Sequence, residues 1–127
     1  MAITSFIAGE AISAGNAVYV NPSGFIYKAI ATNKDQAAVI GLAVDTATSS
    51  NLVRVVTDTV YTSASTFTPG DFQYLSIATS GAVVPYSTWE TELTAVAASG
   101  AFLTNVGRAL TTTNIEVEIQ KPIYITK

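Results

Sequence analysis

Two aspartates begin similar short stretches, Asp45-Thr46-Ala47 and Asp58-Thr59-Val60. Two carboxylates that share one proton can act together as acid and base, as they do in aspartic proteases. The protease loops carry a glycine after the threonine, and both stretches here lack it. We therefore interpret both aspartates as residues of turns or strand ends, where aspartate is common.

Two glutamates, Glu116 and Glu118, alternate with apolar residues near the C-terminus. Paired carboxylates hydrolyse glycosides only when they flank a cleft at a set separation. Glutamates on one face of a strand are typical of a solvated surface, where Lys121 is the expected local partner. Glu90 and Glu92 fall at the start of a predicted helix, where carboxylates favour the helix dipole. None of these acids is expected to be catalytic.

The composition excludes several kinds of site. The chain has 127 residues and contains no cysteine and no histidine, which removes thiolate chemistry, the usual zinc sites and histidine triads. The net charge is −3, and the six basic residues are scattered, so we expect no nucleic-acid partner. Residues 1–9 do not resemble a signal peptide, and no segment is apolar enough to span a membrane. We expect no catalytic, cofactor-binding or metal-binding residue, and thus no enzyme.

Strand patterns dominate the sequence and predict an all-β fold, a small barrel or sandwich. The clearest is residues 115–119, in which three apolar side chains alternate with two carboxylates. Short alternating runs also occur at residues 18–20 and 25–30. The remaining predicted strands are residues 38–45, 52–57, 72–76, 82–84, 105–110 and 123–126.

One segment has a helical pattern instead. Ser87 and Glu90 fit a capping box, and Trp89, Leu93 and Val96 share one helical face. We predict a short helix over residues 88–98, with Ser87 as its N-cap and a stop at Gly100.

The chain contains what resembles an internal repeat. Three glycine-centred turns or strands match in order: Gly15 with Gly70, Gly24 with Gly81, and Gly41 with Gly107. The matched glycines are 55 and 57 residues apart in the first two pairs and 66 apart in the third, and the helix is predicted in this longer interval. We therefore predict a single β-domain over residues 11–127, built from two related units at about 11–62 and 66–127, with the helix inserted in the second.

The first ten residues precede the repeat as an N-terminal arm that is apolar, uncharged up to Gly9 and strand-prone. It has no counterpart before the second unit beyond residues 64–66. The arm can add a strand to its own sheet or pair with a neighbouring chain. We predict the second, with removal of residues 1–7 leaving a folded domain. The candidate interface residues are Ile3, Thr4, Ser5, Phe6, Ile7 and Trp89.

Charged residues are only 12% of the chain and apolar residues 49%, which predicts a largely neutral surface of the kind that another subunit covers. The six tyrosines lie mostly inside strand patterns. We expect them to pack in the core or an interface, although exposed aromatics can also form a carbohydrate-binding surface.

The order of these segments resembles the head decoration, or cement, proteins of tailed bacteriophages. The resemblance is carried by residues 14–20 (AGNAVYV), 24–29 (GFIYKA), 39–43 (VIGLA) and 69–75 (PGDFQYL), and covers roughly residues 8–119. The helix near Trp89 departs from the pattern.

The resemblance implies a structural virion protein, made in the bacterial cytoplasm, that binds the outside of the capsid and stabilises the head by bridging capsomers. It implies a homotrimer whose partner is the major capsid protein, and no membrane or nucleic-acid contact. Similar segments occur in tail fibres, so the alternative is a tail-fibre or receptor-binding module that contacts host surface glycan.

Overall fold

The chain is mostly β, with one short helix among the residues that the structure describes. The structure is a computed structural model, and it describes residues 2–63 and 66–127. The coarse prediction of a β fold with a single helix is confirmed. The strands of the first half are β1 (Ala2–Ala8), β2 (Ala17–Val20), β3 (Phe25–Lys28), β4 (Gly41–Ala43) and β5 (Leu52–Thr62). The second half contains β6 (Phe72–Leu75), β7 (Val83–Pro85), α1 (Tyr86–Ala95), β8 (Gly100–Leu103), β9 (Asn105–Ala109), β10 (Asn114–Glu118) and β11 (Ile123–Thr126).

The strands of the first half pair in a ring. The order β3-β2-β4-β5 is antiparallel throughout, and β1 pairs in parallel with β3 and antiparallel with β5. Along β5, Val53 and Val55 are buried while Leu52 and Arg54 are exposed, which is the alternation expected of a strand with one face on the core.

The second half follows the same strand order. The sheet continues from β5 as β5-β10-β9-β6-β7, and β8 and β11 form a separate two-stranded sheet. In this comparison β10 corresponds to β5. The second part of β5 pairs antiparallel with β10, just as β1 pairs antiparallel with the first part of β5. The end of β5 therefore takes the place of the arm in the second half, and Ala64 and Ser65, which the sequence also offered there, lie outside the described residues. The two pairings meet at Asp58, and the next residue, Thr59, has a φ of +136°, a strained value for a β-branched residue.

The matched glycine turns make the same hydrogen bonds in both halves. The N–H of Gly15 donates to the carbonyl of Ala43 at 2.7 Å, and that of Gly70 to Ala109 at 2.8 Å. The reciprocal bonds run from Ala43 to the carbonyl of Asn16 and from Ala109 to that of Asp71. Gly15 and Gly70 have φ values of +93° and +91°, which favour glycine over any residue with a Cβ.

The third matched pair of glycines lets strands approach closely. A Cβ at Gly41 would collide with the backbone carbonyl of Val56, and one at Gly107 would collide with that of Glu116. Each glycine therefore occupies a strand position at which any side chain would push a neighbouring strand away.

The helix begins and ends earlier than predicted. Helix α1 spans Tyr86–Ala95, its N-cap is Pro85, and no side chain caps it, so the predicted capping box at Ser87 was wrong. The fixed φ of proline already suits a position next to a helix start. The C-cap is Val96, and Gly100 begins β8 instead of ending the helix.

Several strand boundaries also differ from the prediction. Strand β4 is shorter than residues 38–45, because the N–H of Val39 turns back to the carbonyl of Ala37. Strand β5 continues five residues beyond residue 57, because its pairing passes from β1 to β10. Strand β8 was not predicted, and β11 has the predicted bounds.

Two apolar clusters form the core. The larger one joins residues of both halves, including Leu42 and Val56 from the first and Trp89 and Val106 from the second. The smaller one lies within the first half, around Ile12, and Phe6 packs against it.

Candidate functional site

The predicted arm is a strand of its own sheet. Six residues from Ala2 to Ile7 pair with β5, and Ile7 and Ala8 pair with β3. Phe6 is partly buried against the smaller core cluster and Ala8 is fully buried. The arm therefore adds a strand to the chain's own sheet, which is the first of the two alternatives that the sequence left open, and docking of the arm on a neighbouring chain stays a prediction. Met1 lies outside the described residues.

The outer face of the arm nevertheless presents an apolar surface. Ile7 lies directly beside Leu52 on one side and beside Phe25 on the other. Their exposed fractions are 41%, 69% and 40% respectively. We call these three residues the β1 patch. Of the other predicted interface residues in the arm, Ile3, Thr4 and Ser5 are also exposed.

Trp89 does not lie at the surface. Its side chain is 1% exposed and belongs to the larger core cluster, which contradicts its assignment to an interface. The helix places it against Tyr86, whose ring stacks on the indole with centroids 5.9 Å apart. Tyr86 itself is 47% exposed. The surface aromatic of this helix is therefore its first residue.

Tyr86 lies beside a groove of about 340 Å³ that the sequence did not predict. Phe72, which is 49% exposed, and the half-buried Tyr74 contribute from β6, and Asp71 and Ser87 contribute polar groups. The rings of Tyr74 and Tyr86 meet edge to face at 5.7 Å. We call this site the aromatic groove. Its three rings come from two elements that pack on each other, so their positions are fixed by the fold.

The groove continues past Phe72 across the sheet. Phe72 also lines a depression of about 240 Å³ with Asn105, Arg108 and Glu118, on β9 and β10. The guanidinium carbon of Arg108 lies 6.0 Å from the centre of the Phe72 ring. Asn105 Oδ1 is buried and has no hydrogen-bond partner in the described part of the chain.

Asp45 lies in a bend just after β4, as the sequence predicted, whereas Asp58 lies within β5 and not at a turn or strand end. Arg54 Nε donates to Asp45 Oδ2 at 2.9 Å, and a terminal nitrogen donates to Oδ1 at 2.7 Å. These bonds from the Arg54 side chain lower the pKa of Asp45 from its usual 3.8 to about 2. A carboxylate held in the ionised form by a guanidinium stabilises a turn and is unsuited to carry a proton for catalysis. Asp58 lies in β5, exposed.

The glutamates divide into two roles. Glu116 and Glu118 are exposed on β10, as the alternation predicted. Glu92 is partly buried and accepts hydrogen bonds from Ser76 Oγ at 3.0 Å and from the Ile77 N–H at 2.9 Å. It ties α1 to the turn after β6, a structural role that the sequence did not reveal.

Within residues 2–63 and 66–127, no group of three or more acidic residues is placed to hold a metal ion. None of the described helices is long and apolar enough to cross a membrane. No protein-family model matches the chain, and no curated protein matches it significantly.

Proposed function

We propose that the chain is a structural virion protein that binds the outside of a phage capsid and stabilises the head by bridging capsomers. The observation that carries this proposal is the β1 patch. It is a contiguous group of three large apolar side chains, exposed on a chain in which only 12% of residues are charged. The resemblance of the glycine-centred segments to decoration proteins supplies the identity of the partner.

The patch has the properties of a docking surface. Contiguous exposed apolar groups on a soluble protein commonly mark protein–protein contacts. Full burial of one such side chain contributes roughly 1.5–3 kcal/mol before ordering costs are subtracted. Because Ile7 is already paired with Leu52 on one side and with Phe25 on the other, docking on the patch would use side chains and would not require strand exchange. We propose the major capsid protein as the partner and a homotrimer as the bound form.

The two halves support a related proposal about architecture. We infer that they are two copies of one β-unit that close on a shared core as a small barrel or sandwich. The same strand order, the same hydrogen bonds at Gly15 and Gly70, and the same close approach at Gly41 and Gly107 support this inference.

The capsid role can be tested by co-sedimentation with phage heads assembled without this protein. The double variant Ile7→Ser/Leu52→Ser should bind at least tenfold more weakly, since it removes the apolar centre of the patch. Its circular dichroism and unfolding midpoint should remain close to those of the parent, because both side chains are exposed.

The matched control is Ile123→Ser, which removes an apolar side chain of similar exposure on β11, outside the patch. The control should bind at full strength. Full-strength binding by the double variant would refute the proposed docking surface. Sedimentation equilibrium of the docked protein after release from heads would test the trimer.

A further inference from the structure

A row of three positions that is buried in the first half is exposed in the second. In the second half, Phe72 pairs with Arg108, and Arg108 pairs with Glu116. All three are exposed. The register-equivalent row of the first half consists of Ala17, Leu42 and Val56. Those residues lie in the larger core cluster. The sheet face that the core fills in one half is thus open in the other.

The residues on the open face are not those of a simple solvated surface. Solvent contact alone would favour small or charged side chains, yet the aromatic residues Phe72 and Tyr86 are each about half exposed. Tyr86 is held by its contacts with Trp89 and Tyr74, so its ring is already fixed before any ligand arrives. Rings that are fixed in advance lower the entropy cost of binding.

The same face offers an unsatisfied polar atom. Asn105 lines the depression beside Phe72, and its Oδ1 is buried and accepts no hydrogen bond from the described residues. A buried acceptor without a donor costs free energy, about 1–3 kcal/mol. A ligand hydroxyl would supply the missing donor once the Asn105 side chain turns its Oδ1 towards the depression. The planar polar groups of Arg108 and Glu118 lie in the same depression.

The extent of the site indicates an elongated ligand. The lining residues lie at the start of α1 and on four strands that are consecutive in the sheet, β10, β9, β6 and, through Pro85, β7. Three spacings of ~4.8 Å between adjacent strands give a groove about 14 Å long. This length suits a short oligomer better than a single small molecule.

We propose that the aromatic groove and the adjoining depression bind a neutral oligosaccharide. Flat sugar faces carry C–H groups that pack on aromatic rings, and the surrounding hydroxyls need acceptors and donors such as Asn105, Arg108 and Glu118. Asp71 and Glu118 outnumber Arg108 at the site, which disfavours an anionic polymer. A cationic ligand would compete with Arg108 for the face of Phe72.

This inference goes beyond the capsid role and does not depend on it, because the purified chain is tested alone. The experiment titrates the isotope-labelled full chain with maltohexaose, cellohexaose and chitohexaose and follows its NMR spectrum. At least one hexasaccharide should give saturable shifts confined to the groove. Phe72→Ala and Asn105→Ala should each weaken its binding at least tenfold.

Asn105→Ala also separates binding from folding. It removes an unsatisfied acceptor, so its unfolding midpoint should not fall, although its affinity does. The matched control is Phe25→Ala, which truncates a phenylalanine of similar exposure on the β1 patch and should bind the sugar as the parent does. The proposal is overturned if none of the three sugars binds at millimolar concentration, if Phe25→Ala weakens binding equally, or if only choline or tetralysine shifts the groove resonances.

Discussion

Adjacent residues of β1 should respond in opposite ways to truncation, because the strand has one face on the core and one on solvent. Phe6 packs against the smaller core cluster, whereas Ile7 is 41% exposed in the β1 patch. Phe6→Ala should lower the free energy of unfolding, and Ile7→Ala should leave it nearly unchanged. In capsid binding the effects should be reversed: Ile7→Ala should weaken binding, and folded Phe6→Ala should bind nearly as the parent does.

The size of the effect follows from burial. Truncation of a fully buried phenylalanine to alanine costs about 3–5 kcal/mol, and Phe6 is only partly buried, so we expect about 2 kcal/mol. With a urea m-value of about 2 kcal/mol per molar, the unfolding midpoint should fall by about 1 M. Ile7→Ala should change the free energy of unfolding by less than about 0.5 kcal/mol.

The assay is urea unfolding followed by circular dichroism, with each variant also tested on undecorated heads. A urea midpoint for Phe6→Ala equal to that of the parent would refute the packing of β1 on the smaller core cluster and would indicate that the arm is free of the core. Removal of residues 1–7 should destabilise the chain for the same reason, since it leaves the partner edges of β3 and β5 unpaired.

Three further substitutions test local features of the fold. Gly107→Ala should lower the free energy of unfolding by about 1–3 kcal/mol, because its methyl group meets the backbone of β10; an unchanged urea midpoint would contradict the close approach. Arg54→Ala should raise the pKa of Asp45 from about 2 towards its usual 3.8, as measured by NMR titration. Because the native pKa is lowered, the stabilisation is present above pH 3.8 and is lost as the pH falls towards 2, and this loss should be smaller in the variant. Glu92→Ala should cost about 1–3 kcal/mol in thermal or urea unfolding through lost hydrogen bonds to the turn after β6, whereas the exposed Glu90→Ala should cost less than about 0.5 kcal/mol.

The sequence predicted those elements whose local pattern matches their environment. Strand β10 alternates cleanly because one face is buried and the other is in solvent. Strand β8 was missed because Gly100 and its small neighbours resemble a turn, and only pairing with β11 makes them a strand. The helix start was predicted too late because Ser87 and Glu90 fit a capping box, whereas the helix begins directly after Pro85.

The aromatic groove could not be predicted from single segments, because its exposure depends on which sheet face the core covers. A signal was present in the comparison of the two units. Where the first unit has Ala17 and Leu42, the second has Phe72 and Arg108. A large ring and a guanidinium at positions that are small and apolar in the matched unit indicate that the second face is open.

The pairing of β1 with β5 has a consequence during protein synthesis. Strand β1 leaves the ribosome before its main partner, Leu52–Thr62, which follows more than forty residues later. Until then its backbone and the side chain of Phe6 are uncovered. Ala17 and Leu42 stay uncovered for longer still, because the core that buries them includes residues of the second half. Pairings of such long sequence separation fold slowly and leave apolar surface exposed in the meantime. Ribosome pauses or truncated products in the second half should therefore yield aggregating chains, and chaperone demand should be highest before β10 has been made.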